Sequence, residues 1–356
     1  MKTKLVYVLT CEPEDNYIEQ ALIAIWSARY YNPGTEIILL TDDLTDKLFV
    51  GKRAEILDYI SEKIVVSFDA DKSIHYRSRW LKTSVRQLVK GDLLFVDCDT
   101  IVNCDLSLIE QVDAEIAMAL DENVDIQGHA QSVLKTMVKN CQAVGVDVLK
   151  EKYYFNSGVM YIRDTTLTYQ LFEKWHAYWE EGVNKGINVD QPTFARANIT
   201  MGRPVVLLDD RWNAIAYSQI EEIYDAYIIH YWHGKSFLYS EKGMNYVREN
   251  GMDDFVKYYT LHSTHTFIPF DNHVYHYSCK DYVRFCRILK KSLKDYGEHI
   301  DATFDDFDIN MSSNLIIRWT LRHHFLRLSA LLIVLSKYYR VTFSKKFTYR
   351  RNVYEG

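Results

Sequence analysis

A chain of 356 residues, 48% of them hydrophobic, is long enough for one large α/β domain with an appendage and has ample material for a core. Its formal net charge of -6 argues against any overall attraction to nucleic acid. The six cysteines show no CxxC pair or regular spacing and read as reduced thiols of a cytosolic protein.

In chain order, Leu5 to Leu9 reads as a short buried strand, and Tyr17 to Tyr31 as a helix on the spacing of Ile18, Ala21, Leu22, Ile25 and Ala28, stopped at Asn32-Pro33-Gly34. Glu36 to Thr41 is a second strand, Leu44 to Ser61 a helix, Lys63 to Phe68 a third strand, Ile74 to Leu88 a helix and Leu93 to Val96 a fourth strand. Such alternation implies a mostly parallel sheet whose ligand crevice lies beyond the carboxyl ends of the strands, with Thr10, Asp69 and Asp97 on that rim. The apolar core Leu5 to Leu9 is too short, and Glu12, Glu14 and Asp15 after it too acidic, for a signal peptide, and no run approaches the ~18 to 20 apolar residues of a spanning helix.

The fourth strand delivers Asp97-Cys98-Asp99. In extended chain, i and i+2 project to one side, so the two carboxylates can converge on a cation, or share a cation and a sugar hydroxyl. The spacing recurs at Asp69-Ala70-Asp71 and at Asp306-Phe307-Asp308, so it is weak by itself. The last lies in an acidic stretch with no strand leading into it and reads as a solvated turn.

Leu106 to Glu110 is a short helix, Ile116 to Leu120 a strand ending at Asp121-Glu122, and Val133 to Val144 a helix. Within Tyr153 to Ile162 the small, polar Asn156-Ser157-Gly158 marks a bend where backbone and ligand approach closely. After the amphipathic helix Leu167 to Trp179 comes Asp190-Gln191-Pro192, where Asp190 either caps a helix or faces a ligand. Val205 to Leu208 and Tyr227 to Tyr231 are short strands; the second runs into His230-Tyr231-Trp232-His233-Gly234-Lys235. That sequence offers imidazole ligands and a mobile cation on a turn, or else satisfied core histidines.

From Asn314 to Val353 there are nine Lys or Arg and no Asp or Glu, interleaved with aromatics around the apolar run Ala330 to Leu335. A membrane surface, a solvated tail and RNA are the competing readings. The anionic membrane surface is preferred over nucleic acid, because Leu331 to Leu335 would be wasted on a phosphate backbone.

The run Val96-Asp97-Cys98-Asp99-Thr100-Ile101-Val102, then Phe155-Asn156-Ser157-Gly158-Val159, Asp190-Gln191 and a late His-Tyr…Gly-Lys occur in this order. The combination resembles the retaining glycosyltransferases of family eight, over roughly Lys4 to Phe237. The resemblance implies a GT-A (nucleotide-diphospho-sugar transferase) fold, a UDP-sugar donor and Mn²⁺ (or Mg²⁺). It implies Asp97, Asp99 and His230 as metal ligands, and Thr10, Arg79, Lys82, Cys98 and Lys235 beside the donor. Around the transferred sugar it implies Asn156, Asp190 and Gln191. Asp69-Ala70-Asp71, which lacks the following Thr-Ile-Val, becomes the wrong pair. The family's closing pattern has Gly three and Lys six residues after the His, whereas Gly234 and Lys235 lie four and five after His230. Either the turn is remodelled or His233 is the ligand.

The implied organisation is a catalytic domain over 1–240, with a donor half to about 110 and an acceptor half from 111. A helical extension over 241–310 and a basic, aromatic segment over 311–356 would follow. The implied acceptor is a glycan or lipid-linked glycan met on the inner face of the cytoplasmic membrane, in lipopolysaccharide or capsule assembly. Two other classes fit a carboxylate pair at a strand end. A sugar nucleotidyltransferase would need a Gly-rich basic loop where Cys11-Glu12-Pro13-Glu14-Asp15 stands; a non-catalytic glycan-binding protein would not need the ligand set.

Overall fold

The computed structural model describes residues 1–129, 131–215, 226–230 and 241–252. Strands β1 (Lys4–Leu9), β2 (Ile37–Asp42), β3 (Glu62–Val66) and β4 (Leu93–Val96) alternate with helices: α1 (Tyr17–Tyr31), the short α2 (Asp43–Asp46) and α3 (Ile56–Tyr59), then α4 (Ile74–Thr83) and α5 (Val85–Leu88). After β5 (Thr100–Val102) come β6 (Ile116–Leu120), α6 (Gln131–Ala143), β7 (Phe155–Ile162), α7 (Thr166–Asn184), α8 (Gln191–Thr200) and β8 (Val206–Leu207). The small strands β9 (Ala214–Ile215) and β10 (Ile228–His230) and the helix α9 (Glu241–Asn250) complete the described elements.

A seven-stranded sheet runs in the order β3-β2-β1-β4-β7-β6-β8. Every neighbouring pair is parallel except the two made by β7, which runs against both β4 and β6. The expected α/β architecture, a mostly parallel sheet flanked by helices, is therefore present. Two apolar layers explain why the central strands carry no alternation: Leu94 and Val96 face the layer containing α1, while Leu93 and Phe95 face the one containing Phe172, Trp175 and Phe194. A second sheet, β5-β10-β9, packs beside α1.

Three expectations are corrected. The helix drawn over Leu44 to Ser61 is broken into α2, a 3₁₀ turn at Gly51–Glu55 and α3, because Gly51 takes φ +57°, a left-handed conformation no continuous helix contains. The helix over Ile74 to Leu88 breaks at Ser84 (φ −98°, ψ 3°). There the Thr83 hydroxyl bonds back to the carbonyls of Arg79 and Trp80, a contact that bends helices. The bend expected at Asn156 to Gly158 lies inside an uninterrupted, wholly buried β7. What breaks instead is its pairing: Met118 faces Met160 but Leu120 faces Phe155, so the segment bulges against β6. Among the described residues no helix is long and apolar enough to cross a membrane. His233, Lys235, the acidic stretch ending at Asp308, most of the 241–310 extension and all of 311–356 lie outside the described residues.

Candidate active site

The carboxyl ends of β1 and β4 and the amino end of β7 meet at one rim, which is what the reversed direction of β7 accomplishes. Above them opens a cleft of about 440 Å³, within the range of small-molecule sites. Thr10, Arg79, Lys82, Asp97, Cys98, Asp99, Asn156, Asp190, Gln191 and His230 all line it. Asp69 and Asp71 do not; both are solvent-exposed in the turn after β3.

Asp97 directly follows β4, and its N–H donates to the carbonyl of Gly158 at 2.8 Å. Asp99 precedes β5, whose antiparallel ladder with β10 sets His230 opposite Thr100. This register brings one ligand atom from each of Asp97, Asp99 and His230 within 4.8 Å of one another, with Nε2 of His230 3.1 Å from Oδ1 of Asp99. Gly158 makes room for the ring: a Cβ there would lie 2.3 Å from Cε1 of His230. The other nitrogen, Nδ1, is 2.9 Å from Oδ1 of the buried Asn213. Two carboxylates and an imidazole held from behind by an amide oxygen form a mixed O and N donor set of the kind that suits a transition metal such as Mn²⁺.

Charges balance through the basic residues of α4. Lys82 places its ammonium 3.1 Å from both oxygens of Asp97 and 3.6 Å from Asp190, while Arg79 Nε lies 3.1 Å from Asp190. Burial drives the Asp97 carboxyl up, with Lys82 opposing it. At Asp99 burial also acts upward, but the His230 imidazole outweighs it and holds this carboxyl below the usual range. His230 is raised in turn: the Asp99 carboxylate overcomes the effect of burial. Asp190 resists burial through Lys82, Arg79 and a hydrogen bond from Ser157 Oγ (2.7 Å), and is pulled down to about 2.

Asp190 occupies the N-cap position of α8, but its side chain makes no cap bond there and lines the cleft instead. Its carbonyl oxygen accepts from Trp175 Nε1 and Thr193 Oγ1, fixing the backbone from beneath. Thr10 donates to the Ile74 carbonyl, and the Cys98 thiol to the Val8 carbonyl.

Sequence reading missed two residues that organise this rim. Asp121 ends β6 as Asp97 ends β4, a shared strand-end position that could have flagged it. Its Oδ1 accepts from Asn156 Nδ2 (2.9 Å) and Gln191 Nε2 (3.0 Å). Asn213 sits in a 3₁₀ turn, Asp210–Asn213, and donates from Nδ2 to Asn156 Oδ1 at 2.9 Å. Its sequence carries no signal beyond a polar residue among apolar ones.

Residues 13–236 match the family described as Glycosyl transferase family 8. Among solved structures, the chain is similar to the galactosyltransferase LgtC in complex with donor and acceptor sugar analogues. Identity is 16%, over 72% of this chain and 94% of that one, with a TM-score of 0.47. Mouse xyloside xylosyltransferase 1 is 15% identical over 64% of this chain and 97% of its own, with a TM-score of 0.42. The glycosyltransferase GlyE of Streptococcus pneumoniae TIGR4 is 18% identical over 73% of this chain and 63% of its own, with a TM-score of 0.44. No curated protein matches by sequence.

Proposed function

The chain belongs to glycosyl transferase family 8 and is a glycosyltransferase of α/β, GT-A type, and we propose that it moves a hexose from a UDP-sugar to a glycan acceptor, with retention and with a divalent cation held by Asp97, Asp99 and His230. The observation that carries this reading is the convergence of those three side chains, from two sheets, on one point of a cleft that also contains Arg79 and Lys82. A cation bound there, Mn²⁺ on donor chemistry or else Mg²⁺, would supply Lewis-acid stabilisation of a departing diphosphate, worth several kcal/mol.

The remaining work falls to the chain's own groups. Lys82 holds Asp97 by both oxygens and so fixes the carboxylate's orientation. Arg79, bound to Asp190 on one side and open to the cleft, can meet a phosphate oxygen without leaving its partner. Asp190 stays ionised at neutral pH and can accept from a sugar hydroxyl. Gln191 spends both hydrogens of Nε2 on Asp121 and the Phe155 carbonyl, which leaves Oε1 for the sugar's reacting face. Thr10 and Cys98 line the donor side, and Lys235 belongs with them on the sequence pattern alone. The acceptor is proposed to be a glycan or lipid-linked glycan of lipopolysaccharide or capsule assembly. The basic and aromatic segment 311–356 would hold the enzyme to the anionic inner face of the membrane.

Calorimetric titration of UDP with and without Mn²⁺, followed by a screen of UDP-hexoses for hydrolysis, tests the reading. Asp97→Asn and Asp99→Asn should each abolish Mn²⁺-dependent UDP binding without unfolding, while Asp69→Asn leaves it intact. Undiminished binding in both rim variants would overturn the assignment.

A further inference from the structure

The first turn of α1 is not capped as its sequence dictates. Asn16 stands at the N-cap and Glu19 three residues on, the spacing of a capping box, in which each side chain bonds the other residue's backbone N–H. Here Asn16 makes no side-chain cap bond, and its φ of −110° and ψ of 18° lie far from the extended conformation usual at an N-cap. Both side chains are taken instead by Arg248 of α9. Its Nη2 donates to Asn16 Oδ1 and to the Asp15 carbonyl, each at 2.6 Å, and its Nε donates to Glu19 Oε1 at 3.0 Å.

A guanidinium is the wrong charge for this place, because the amino end of a helix carries the positive end of its dipole. Two gather on it: Arg53, from the 3₁₀ turn Gly51–Glu55, also donates to Glu19 and to the Asp15 carbonyl, each at 2.7 Å. Burial acts upward on the Glu19 carboxyl, but hydrogen bonds from Arg248 and Arg53 hold it below the usual range, so its charge offsets part of the cost. The two arginines do not duplicate each other. Arg53 grips backbone, adding the Pro13 carbonyl at 3.3 Å, whereas among the described residues Arg248 alone bonds the Asn16 side chain. The seat of α9 does not depend on that bond: Met244 and Val247 are buried in the same apolar layer as Ile18, Leu22 and Ile25, and the Met252 N–H just beyond the helix donates to Glu55 at 2.9 Å.

One wall of the cleft hangs on this turn. Tyr17 and Gln20 line the cleft from it, and Thr10 lines it from the other end of the loop that joins β1 to α1. For the box to close, ψ of Asn16 must rotate toward the β region. That rotation swings the loop against the helix and draws the Tyr17 N–H away from Asp15 Oδ1, now at 3.0 Å.

We propose that Arg248 is a positioning residue for the donor wall: by taking Asn16 and Glu19 out of the capping box that they would otherwise close, it holds Tyr17 and Gln20 in register with Thr10. The inference rests on reading the cleft as the donor site. Arg248 does not itself line the cleft; it acts through the conformation of the turn.

The test uses the full chain. Arg248→Met keeps an unbranched stem and removes the fork, which releases Asn16 to cap the helix. Adding Asn16→Ala removes the cap as well, so the box cannot close while Arg53 still grips the loop backbone. Amide exchange at Glu19 should slow in Arg248→Met, because the Asn16 side chain then covers that N–H, and should speed up again in the double variant. Loss of a mere staple would speed exchange in both. UDP affinity in the presence of Mn²⁺ should fall about 10- to 100-fold in Arg248→Met and recover toward native in the double variant. Binding of Mn²⁺ alone, followed by electron paramagnetic resonance, should stay native in both, since Asp97, Asp99 and His230 are carried by other elements.

If Arg248→Met does not fold, Arg248→Lys, which keeps stem and charge but not the planar fork, carries the same expectations at smaller amplitude. Faster exchange at Glu19 in the single variant, or a double variant that binds UDP no better than the single one, overturns the proposal. Slowed exchange and its reversal in a protein whose native chain binds no UDP leaves the capping device standing and overturns the donor reading.

Discussion

Replacing Gly158 by Ala is the sharpest single perturbation of the site, because the new atom is placed against the imidazole rather than against anything flexible. A Cβ at 158 would lie 2.3 Å from Cε1 and 2.7 Å from Nδ1 of His230, and 2.8 Å from Oδ1 of Asn156. Ordinary contact begins near 3.4 Å, so the ring must retreat by about 1.1 Å. It has nowhere to do so without giving up either Asn213, at 2.9 Å, or its approach to Asp99, at 3.1 Å. Overpacking of this kind costs ~1–3 kcal/mol, and a buried partner left unpaired another ~1–3 kcal/mol. Thermal unfolding should therefore shift down by several degrees. The larger effect should be on binding, because losing the group that orients a ligand histidine typically weakens metal affinity ~10- to 100-fold. Calorimetry of UDP in the presence of Mn²⁺ measures this directly. Gly34→Ala is the matched control: a Cβ there meets nothing within 4 Å, and neither readout should move. Native affinity in Gly158→Ala would refute the packing of His230 on β7 and, with it, the proposed ligand.

Three further outcomes are expected. The raised His230 titration means that protons compete with a cation for Nε2, so Mn²⁺ affinity should climb as pH rises toward that titration and level off above it; His230→Gln should flatten the profile. Asp190, held at about 2 against an ordinary value of 3.8, contributes on the order of 2 kcal/mol of stability; this is fully present above about pH 4 and lost as pH falls toward 2. Acid unfolding of Asp190→Asn should lack that component. Truncation after Asp308 should preserve UDP-sugar hydrolysis but abolish co-sedimentation with anionic vesicles, and equal co-sedimentation of both forms would show that the basic segment is no anchor.

The parts of this fold that were legible in sequence are those whose neighbours in space are neighbours in the chain. Helix α1 has the bounds its apolar spacing predicts, and β4 and β6 are likewise uninterrupted apolar runs with carboxylates directly after them. Thr83 and Gly51 defeated the expected helices for local reasons that periodicity does not register: a hydroxyl bonding back to the preceding turn and a left-handed backbone. At Asp190 the sequence was evenly poised between a cap and a ligand-facing group; the side chain's actual partners, Arg79, Lys82 and Ser157, are brought from elsewhere in the chain. Asn213 was invisible because its importance lies wholly in what it touches: the Asn156 amide near the amino end of one strand and the imidazole of another.

The division of the three candidate ligands between two sheets bears on how the molecule holds together. Asp97 and Asp99 leave the large sheet where it joins β5, whereas His230 arrives on β10 from far along the chain. The second sheet is made of strands of three, three and two residues, too slight to persist alone. A cation shared by all three side chains would act as a removable cross-link, closing a very long loop and tying the slight sheet to the robust one. Resistance to proteolysis around β10 would then depend on free cation concentration by mass action, and a chelator would loosen that corner of the enzyme while leaving the parallel sheet intact.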